Sequence, residues 1–459
     1  MDVLTHSILP FVGILVFLIV VHEAGHYVTA KWFGVKVLEA GLGYPPRVWG
    51  FRWRDTEYTI NALPLGGFVR LLGEEDPSDP QSLAARPKWQ RAVVLGSGAF
   101  MNFVLAIALF SAGLIIPRTV SEGGAVISDV APGSPAQMAG LQAGDEIVEI
   151  NGRHAESQQD AAYLVQLYRG SNIDFLVKRA DPRTGTENVR VDDVYARWDP
   201  PPYVDECGVE QRQGPTGIGL TTRHGQFTPL TREERADAEA LSREAFPKYR
   251  DEVAPGAPES CTDGRAFFFL PLTAADCAEL TPEQRASAEA RKRELFADSA
   301  SPCYEFDPPP AFVSFTRTRS EPPWEAIPHG VRLSFESLVL ARNQVWSWIR
   351  GFEDPQVTGP VGIAQATGEV VDEAGWKSLI DFAALLSMNL AILNILPIPM
   401  FDGGRLFFIL IEFLRGGKRI RPEREAIVHL VGLVMILMFA AVITYFDILR
   451  VFRGDSLLR

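Results

Sequence analysis

Residues 8–26 read Ile8-Leu9-Pro10-Phe11-Val12-Gly13-Ile14-Leu15-Val16-Phe17-Leu18-Ile19-Val20-Val21-His22-Glu23-Ala24-Gly25-His26, an apolar run that ends in an HExxH sequence. On a helix, positions four apart share one face, so His22 and His26 can present two imidazoles to one metal ion. Glu23 then stands beside the ion and can take a proton from water there. Ionisable groups are expensive in lipid, so their place at the end of an apolar helix points to function. The plainer alternative is a polar helix end that snorkels to the membrane interface.

Two imidazoles leave a catalytic zinc one protein ligand short. Tyr27 to Gly34 contain no His, Asp or Glu, so a third ligand must come from elsewhere. The apolar stretch from Phe382 to Leu414 is longer than one simple span of about 20 residues. It is interrupted by Asn394-Ile395-Leu396-Pro397-Ile398-Pro399-Met400-Phe401-Asp402-Gly403-Gly404. Two prolines remove backbone donors and restrict the residues before them, so a helix breaks here. Such backbone is tolerated at membrane depth only where protein or water covers it. Asp402 lies in the break and is the best candidate for the third ligand. A simple loop with Asp402 as a helix cap is the alternative.

Four stretches reach spanning length: Ile8 to about Phe33, Ala92 to Ile116, Phe382 to Leu414, and Ala426 to Phe446. The first lacks an N-terminal Lys or Arg and a small-residue cleavage site, and reads as a retained anchor. The loop from Lys31 to Arg91 carries nine Lys and Arg, and the loop around Arg415, Lys418, Arg419, Arg421 and Arg424 is also basic. The positive-inside rule puts both loops in the cytoplasm and the long middle segment outside, although Arg450, Arg453 and Arg459 run against it. Ser121 to Gly330 holds 35 acidic against 21 basic residues, the main source of the net charge of −13. That balance suits a solvated extracytoplasmic surface and argues against a nucleic-acid partner. Cys207, Cys261, Cys277 and Cys303 all fall in this segment, none in a CxxC pair; an oxidising exterior permits disulfides of unassigned connectivity.

HExxH in the first apolar helix and NxxPxPxxDG in a late one together resemble the site-2 protease family of intramembrane zinc metalloproteases, peptidase family M50. Within it the chain is most similar to the bacterial regulator-of-sigma-E protease type. Asn61 to Arg70 is similar to the family's Gly-rich β-hairpin. Gly98 and Asn102 resemble its AGPxxN motif, and Thr358 to Ile363 its GPVGI segment. Ala99 replaces the motif's Pro, and Phe401 the Leu of the common LDG; both lie outside the implied chemistry. The likeness covers roughly residues 1–220 and 327–452.

The resemblance implies Zn2+ held by His22, His26 and Asp402, with Glu23 as general base. A substrate strand would add to Gly66, Gly67 and Phe68, and Asn389, Asn394, Pro397 and Pro399 would meet its unwound backbone. Implied substrates are single-span membrane proteins in regulated intramembrane proteolysis, such as anti-sigma factors or signal-peptide remnants, already shortened by an upstream site-1-type protease. The implied location is the bacterial inner membrane. A catalytically idle adaptor and a metal transporter are the alternative classes.

Pro132 to Gly152 resembles a bacterial PDZ domain: Ser134 to Ala139 form a short helix, Ile147 to Ile150 a strand, and Asn151-Gly152 a turn. A strand around Ile173 to Val177 follows, and Gly217-Ile218-Gly219-Leu220 closes the unit. Such domains bind extended peptides at a sheet edge; a spacer without a ligand is the alternative. Residues 230–246 recur fifty positions later as 280–296, each copy with a capping box. Val331 to Ile349 reads as an interfacial helix. The expected fold is an α-helical multi-pass membrane protein with four transmembrane segments, an extracytoplasmic PDZ-like α+β domain and an inserted helical repeat pair. Its parts are 1–116, 121–220, 221–326 and 327–459.

Overall fold

A computed structural model describes residues 3–453 apart from 75, 122–123, 182–184, 205–209, 212, 223–315, 354 and 356–357. The repeat pair and all four cysteines lie outside the described residues. The chain forms two units: residues 1–118, 319–348 and 353–459 make one, and residues 119–318 with 349–352 the other.

The first unit begins with helix α1 (Leu9–Trp32), whose Pro10 sits in the first turn, where no backbone donor is needed. Strands β1 (Val37–Trp53) and β2 (Thr56–Leu71) follow. They fold back on each other, so residues 39–42 pair on one side with 67–70 and on the other with 57–60, while 49–53 pair beyond these. The sheet therefore ends at one edge in the Gly67–Leu71 segment. Helix α2 (Lys88–Ile115) returns across the unit.

Small residues set how closely α1 and α2 pack. A Cβ on Gly25 would lie 2.5 Å from Ser97 O, and Thr29 Oγ1 meets Ser97 Oγ at 2.9 Å. Beneath this contact Ala30, Val35, Val37, Leu71, Leu83, Val94, Leu95 and Ile409 form one buried cluster that fixes the sheet to the helices.

In the second unit the strands β4 (Ala125–Val130), β5 (Glu146–Ile150), β7 (Asn172–Asp181), β8 (Gly185–Tyr195) and β11 (Ile218–Thr222) form an antiparallel sheet in the order β11-β4-β5-β7-β8. Of the shorter strands, β6 (Arg153–His154) pairs with β5, β3 (Arg118–Ser121) with β12 (Thr316–Arg319), and β9 (Tyr203–Val204) with β10 (Glu210–Gln211). Burial of Ile173, Phe175 and Val177 at every second position follows the strand period. Asn151 and Gly152 both have positive φ, 50° and 71°, the conformation a tight hairpin needs. Helix α3 (Pro135–Ala139) is capped by Ser134 Oγ, which accepts from Gln137 N, and α4 (Gln158–Leu167) packs on the sheet.

Returning to the first unit, helix α5 (Pro323–Arg350) starts earlier than its hydrophobic pattern suggests, because Pro323 suits an initial turn. Helix α6 (Pro360–Ala374) is amphipathic and was not legible beyond its Gly-Pro start. The long apolar stretch divides as its prolines demand, into α7 (Ser378–Ile395) and the short α8 (Asp402–Leu414); the last helix is α9 (Pro422–Arg453). Among the described residues, four helices are long and apolar enough to cross a membrane: Thr5–Trp32, Lys88–Ile115, Ser378–Ile395 and Glu423–Arg450. The outward side chains of α9 include Ile427, Val431, Met435 and Phe439, all exposed, a surface suited to lipid.

Candidate metal centre

The helical period puts His22 and His26 on one face of α1, and the break after α7 brings the first residue of α8 against them. Asp402 Oδ2 lies 3.2 Å from His22 Nε2 and 3.2 Å from His26 Nε2, and the two Nε2 atoms are 3.2 Å apart. Among the described residues this is the one cluster of His, Cys, Asp and Glu with ligand spacing. His26 Nδ1 donates to Val94 O at 2.8 Å, which leaves Nε2 with a bare lone pair. Asp402 Oδ2 is buried without a hydrogen-bond partner. Acceptor atoms facing one another at this distance repel unless a cation lies among them. A tetrahedral zinc with bonds of about 2.0–2.1 Å holds its ligands about 3.3–3.4 Å apart, so the triangle fits that ion and leaves a fourth position open.

Helix α2 builds the outer layer. Asn102 Nδ2 and Asn394 Nδ2 each lie 3.5 Å from His22 Nδ1, while Asn102 Oδ1 is buried with no partner. A half-turn of the Asn102 amide turns that oxygen toward the ring N–H, the arrangement that fixes a ligating imidazole. Ser387 Oγ on α7 donates to Asn102 O at 2.8 Å and ties the three helices at this level.

Glu23 points to the sheet. Its carboxylate accepts from the Val69 backbone N–H, and a Cβ on Gly67 would lie 3.4 Å from Glu23 Cγ. Gly66 reaches this approach with φ 125°, a conformation open in practice only to glycine. The Tyr58 hydroxyl pairs with Tyr27 at 2.7 Å, tying the sheet to α1 one residue beyond His26. Burial and this bond push the Tyr58 phenol up to about 12, so it stays neutral. At the strand end, Glu74 accepts from Leu71 N at 3.3 Å and pairs with Arg405, three residues after Asp402.

His22, His26, Asp402 and Asn394 thus meet at one point, with Gly67 against Glu23 beside it; Gly66 and Phe68 flank Gly67 on β2, where Phe68 pairs with Gly41. Asn389 does not join them: it is exposed and sits about 140° round α7 from Asn394, because five residues are not a whole number of turns. Pro397 is exposed in the break, and Pro399 packs where a Cβ on Gly432 would overlap it. Sequence reasoning missed the Val94 carbonyl and the Val69 amide, since backbone groups leave no trace in residue identity. Asn102 was visible only as part of a motif, without its contact to His22.

The family model for peptidase family M50 matches residues 10–439. A relative from Ralstonia nicotianae is 28% identical over 98% of this chain and 100% of its own length. One from Thermotoga maritima is 26% identical over 96% and 99%, and one from Clostridium perfringens 28% identical over 94% and 95%. All three carry the name "putative zinc metalloprotease". The chain belongs to peptidase family M50, the site-2 proteases, and is a multi-pass membrane zinc metalloprotease.

Proposed function

We propose that this M50 peptidase cleaves peptide bonds within the membrane-spanning segments of single-span proteins, with His22, His26 and Asp402 holding the zinc ion and Glu23 moving the proton. The observation that carries this reading is the 3.2 Å triangle of ligand atoms beside a carboxylate that is itself held by a strand edge. When bound, zinc supplies Lewis-acid polarisation of the scissile carbonyl and makes water more acidic. Glu23 takes the proton from the attacking water and returns it to the leaving nitrogen. The Val69 amide keeps the carboxylate turned toward the site.

A helical substrate shields its peptide bonds, so it must unwind before cleavage. Gly66, Gly67 and Phe68 lie on the outer strand of the sheet, where an extended segment can add by main-chain hydrogen bonds. Asn394, whose side chain lies beside His22, offers its amide to the freed backbone, and Pro397 and Pro399 keep the break open. The second unit we read as PDZ-like. Its edge strand β11 lies next to α4, with Gln158 Nε2 donating to Leu220 O at 2.8 Å, and an extended peptide end would add along that sheet edge. In this reading it admits substrates shortened by an upstream site-1-type protease, such as anti-sigma factors or signal-peptide remnants. The enzyme then sits in the bacterial inner membrane, with that unit and the 221–326 insert outside.

The test is zinc content and cleavage of a model membrane substrate in detergent. Glu23→Gln keeps about one zinc per chain and loses turnover by about 10²- to 10⁴-fold, the weight of a general base. Full turnover in that variant removes the role of Glu23. An Asp402→Ala protein with full zinc and full cleavage removes the third ligand, and a wild-type protein without zinc defeats the whole reading.

A further inference from the structure

The turn that delivers Asp402 contains one backbone conformation that an L residue adopts at a cost. Met400, two residues before Asp402, has φ 88°. Its N–H points away from the turn's own carbonyls and donates to His429 Nδ1 on α9 at 3.0 Å. On either side the turn satisfies itself: Ile398 N donates to Leu396 O, Phe401 N to Ile398 O and Gly404 N to Phe401 O. Pro397 and Pro399 have no N–H to offer. Met400 is therefore the residue whose amide leans on another helix.

The same face of α9 carries a second contact. Gly432, three residues after His429, lies so close to Pro399 that a Cβ would overlap Pro399 Cβ and come within 2.9 Å of Pro399 O. His429 and Gly432 thus grip Pro399 and Met400 from one side. From the other side the turn rests on α7, where a Cβ on Gly403 would lie 2.5 Å from Ile395 O. The imidazole itself is fixed by Phe408, with ring centroids 5.5 Å apart, and its Nε2 is buried 4.0 Å from Glu425 Oε1.

We propose that His429 is a positioning residue for the metal centre: by accepting the Met400 amide it holds the left-handed turn that sets Asp402 against His22 and His26. A positive-φ backbone is strained for an L residue and persists only where its surroundings over-determine it. Without the acceptor, the Met400 amide gains by rotating toward another partner, and any such rotation carries the Asp402 carboxylate with it. A ligand displaced by a fraction of an ångström loses zinc affinity, since metal sites accept only narrow bond lengths. The inference rests on the proposed ligand set.

The experiment measures zinc affinity of the full-length protein in detergent by chelator competition, and the visible spectrum of the Co2+ form. The variants are His429→Ala, His429→Phe and His429→Asn, whose Oδ1 can stand where Nδ1 stands. The alanine and phenylalanine variants should bind zinc about 10-fold more weakly or worse, as for groups that orient ligands. Their Co2+ bands should shift, and kcat should fall more than KM rises. The asparagine variant should stay within about threefold of wild type, since it keeps an acceptor for the amide. If alanine or phenylalanine binds zinc as wild type does, or if asparagine is as weak as alanine, His429 does not position Asp402. If Asp402→Ala in the same assay keeps wild-type affinity, the failure lies in the ligand set and not in His429. A His429→Ala protein that does not fold leaves the phenylalanine and asparagine pair to decide.

Discussion

Gly98 lies against His22 and His26 with no room for a side chain: a methyl group on its Cα would overlap His26 Nε2 and lie 2.5 Å from His22 Cε1. The second helix therefore forms one wall of the metal site through the absence of a Cβ. Gly98→Ala should push the imidazoles apart or the helices back, and lower bound zinc at least about 10-fold. Metal analysis of the purified, monodisperse variant checks it; full zinc content would mean that α2 yields without cost.

Asn102 offers a second route to the same imidazole. Asn102→Leu removes the amide facing His22 Nδ1 and should weaken zinc binding by about 10- to 100-fold, the usual loss when a ligand's outer partner goes. Asn102→Asp keeps an acceptor for the ring N–H and should bind zinc more tightly than the leucine variant. Chelator competition on the pair gives the order; equal affinities would show that Asn102 packs without orienting His22.

Gly67 separates metal binding from turnover. A Cβ there would press on Ile19 Cγ2 at 2.9 Å and reach Glu23 Cγ at 3.4 Å, so Gly67→Ala should disturb the base and the strand edge together. Zinc content should hold while kcat/KM falls by about 10-fold or more, consistent with the loss of a placed general base. A variant that loses zinc and activity in parallel would place the effect in the ligands instead.

Glu412 is buried between Arg91 at 2.8 Å and Arg419 at 3.5 Å, at the far end of the helix that Asp402 begins. Glu412→Ala leaves a half-buried Arg91 without its partner and should cost up to about 3 kcal/mol, the lower end for a broken buried pair. Thermal unfolding in detergent should show a clear fall in Tm, whereas replacing both Arg91 and Glu412 by Met should recover most of it. A double variant as unstable as the single one would show that the helix packing, not the charge, carries the loss.

Membrane orientation is open to a chemical test. In a chain whose four cysteines are replaced by Ser, a new cysteine at Arg419 should be shielded from an impermeant reagent in intact cells, and one at Asp181 should react. The reverse labelling would invert the proposed orientation.

Much of this protein was legible in the order of its residues, for local physical reasons. A helix repeats every 3.6 residues, so His22 and His26 shared a face before any packing was known. Pro397 and Pro399 cannot extend a helix, so the long apolar stretch had to break where α7 ends and α8 begins. In the second unit the likeness to a PDZ domain placed the Ser134 to Ala139 helix and the strand around Ile173 to Val177, and the turn residues marked Asn151-Gly152. The rest depended on contacts between segments far apart in sequence. Only the tertiary structure brought Asp402 within 3.2 Å of two histidines some 380 positions away, set Gly98 against them, and aimed the Val94 carbonyl at His26 and the Val69 amide at Glu23. Backbone groups have the same chemistry in every residue, and a glycine matters here by what presses against it. Neither property is written in the residue's own identity; both follow from which helices and strands meet, and that is decided by burial across the whole unit.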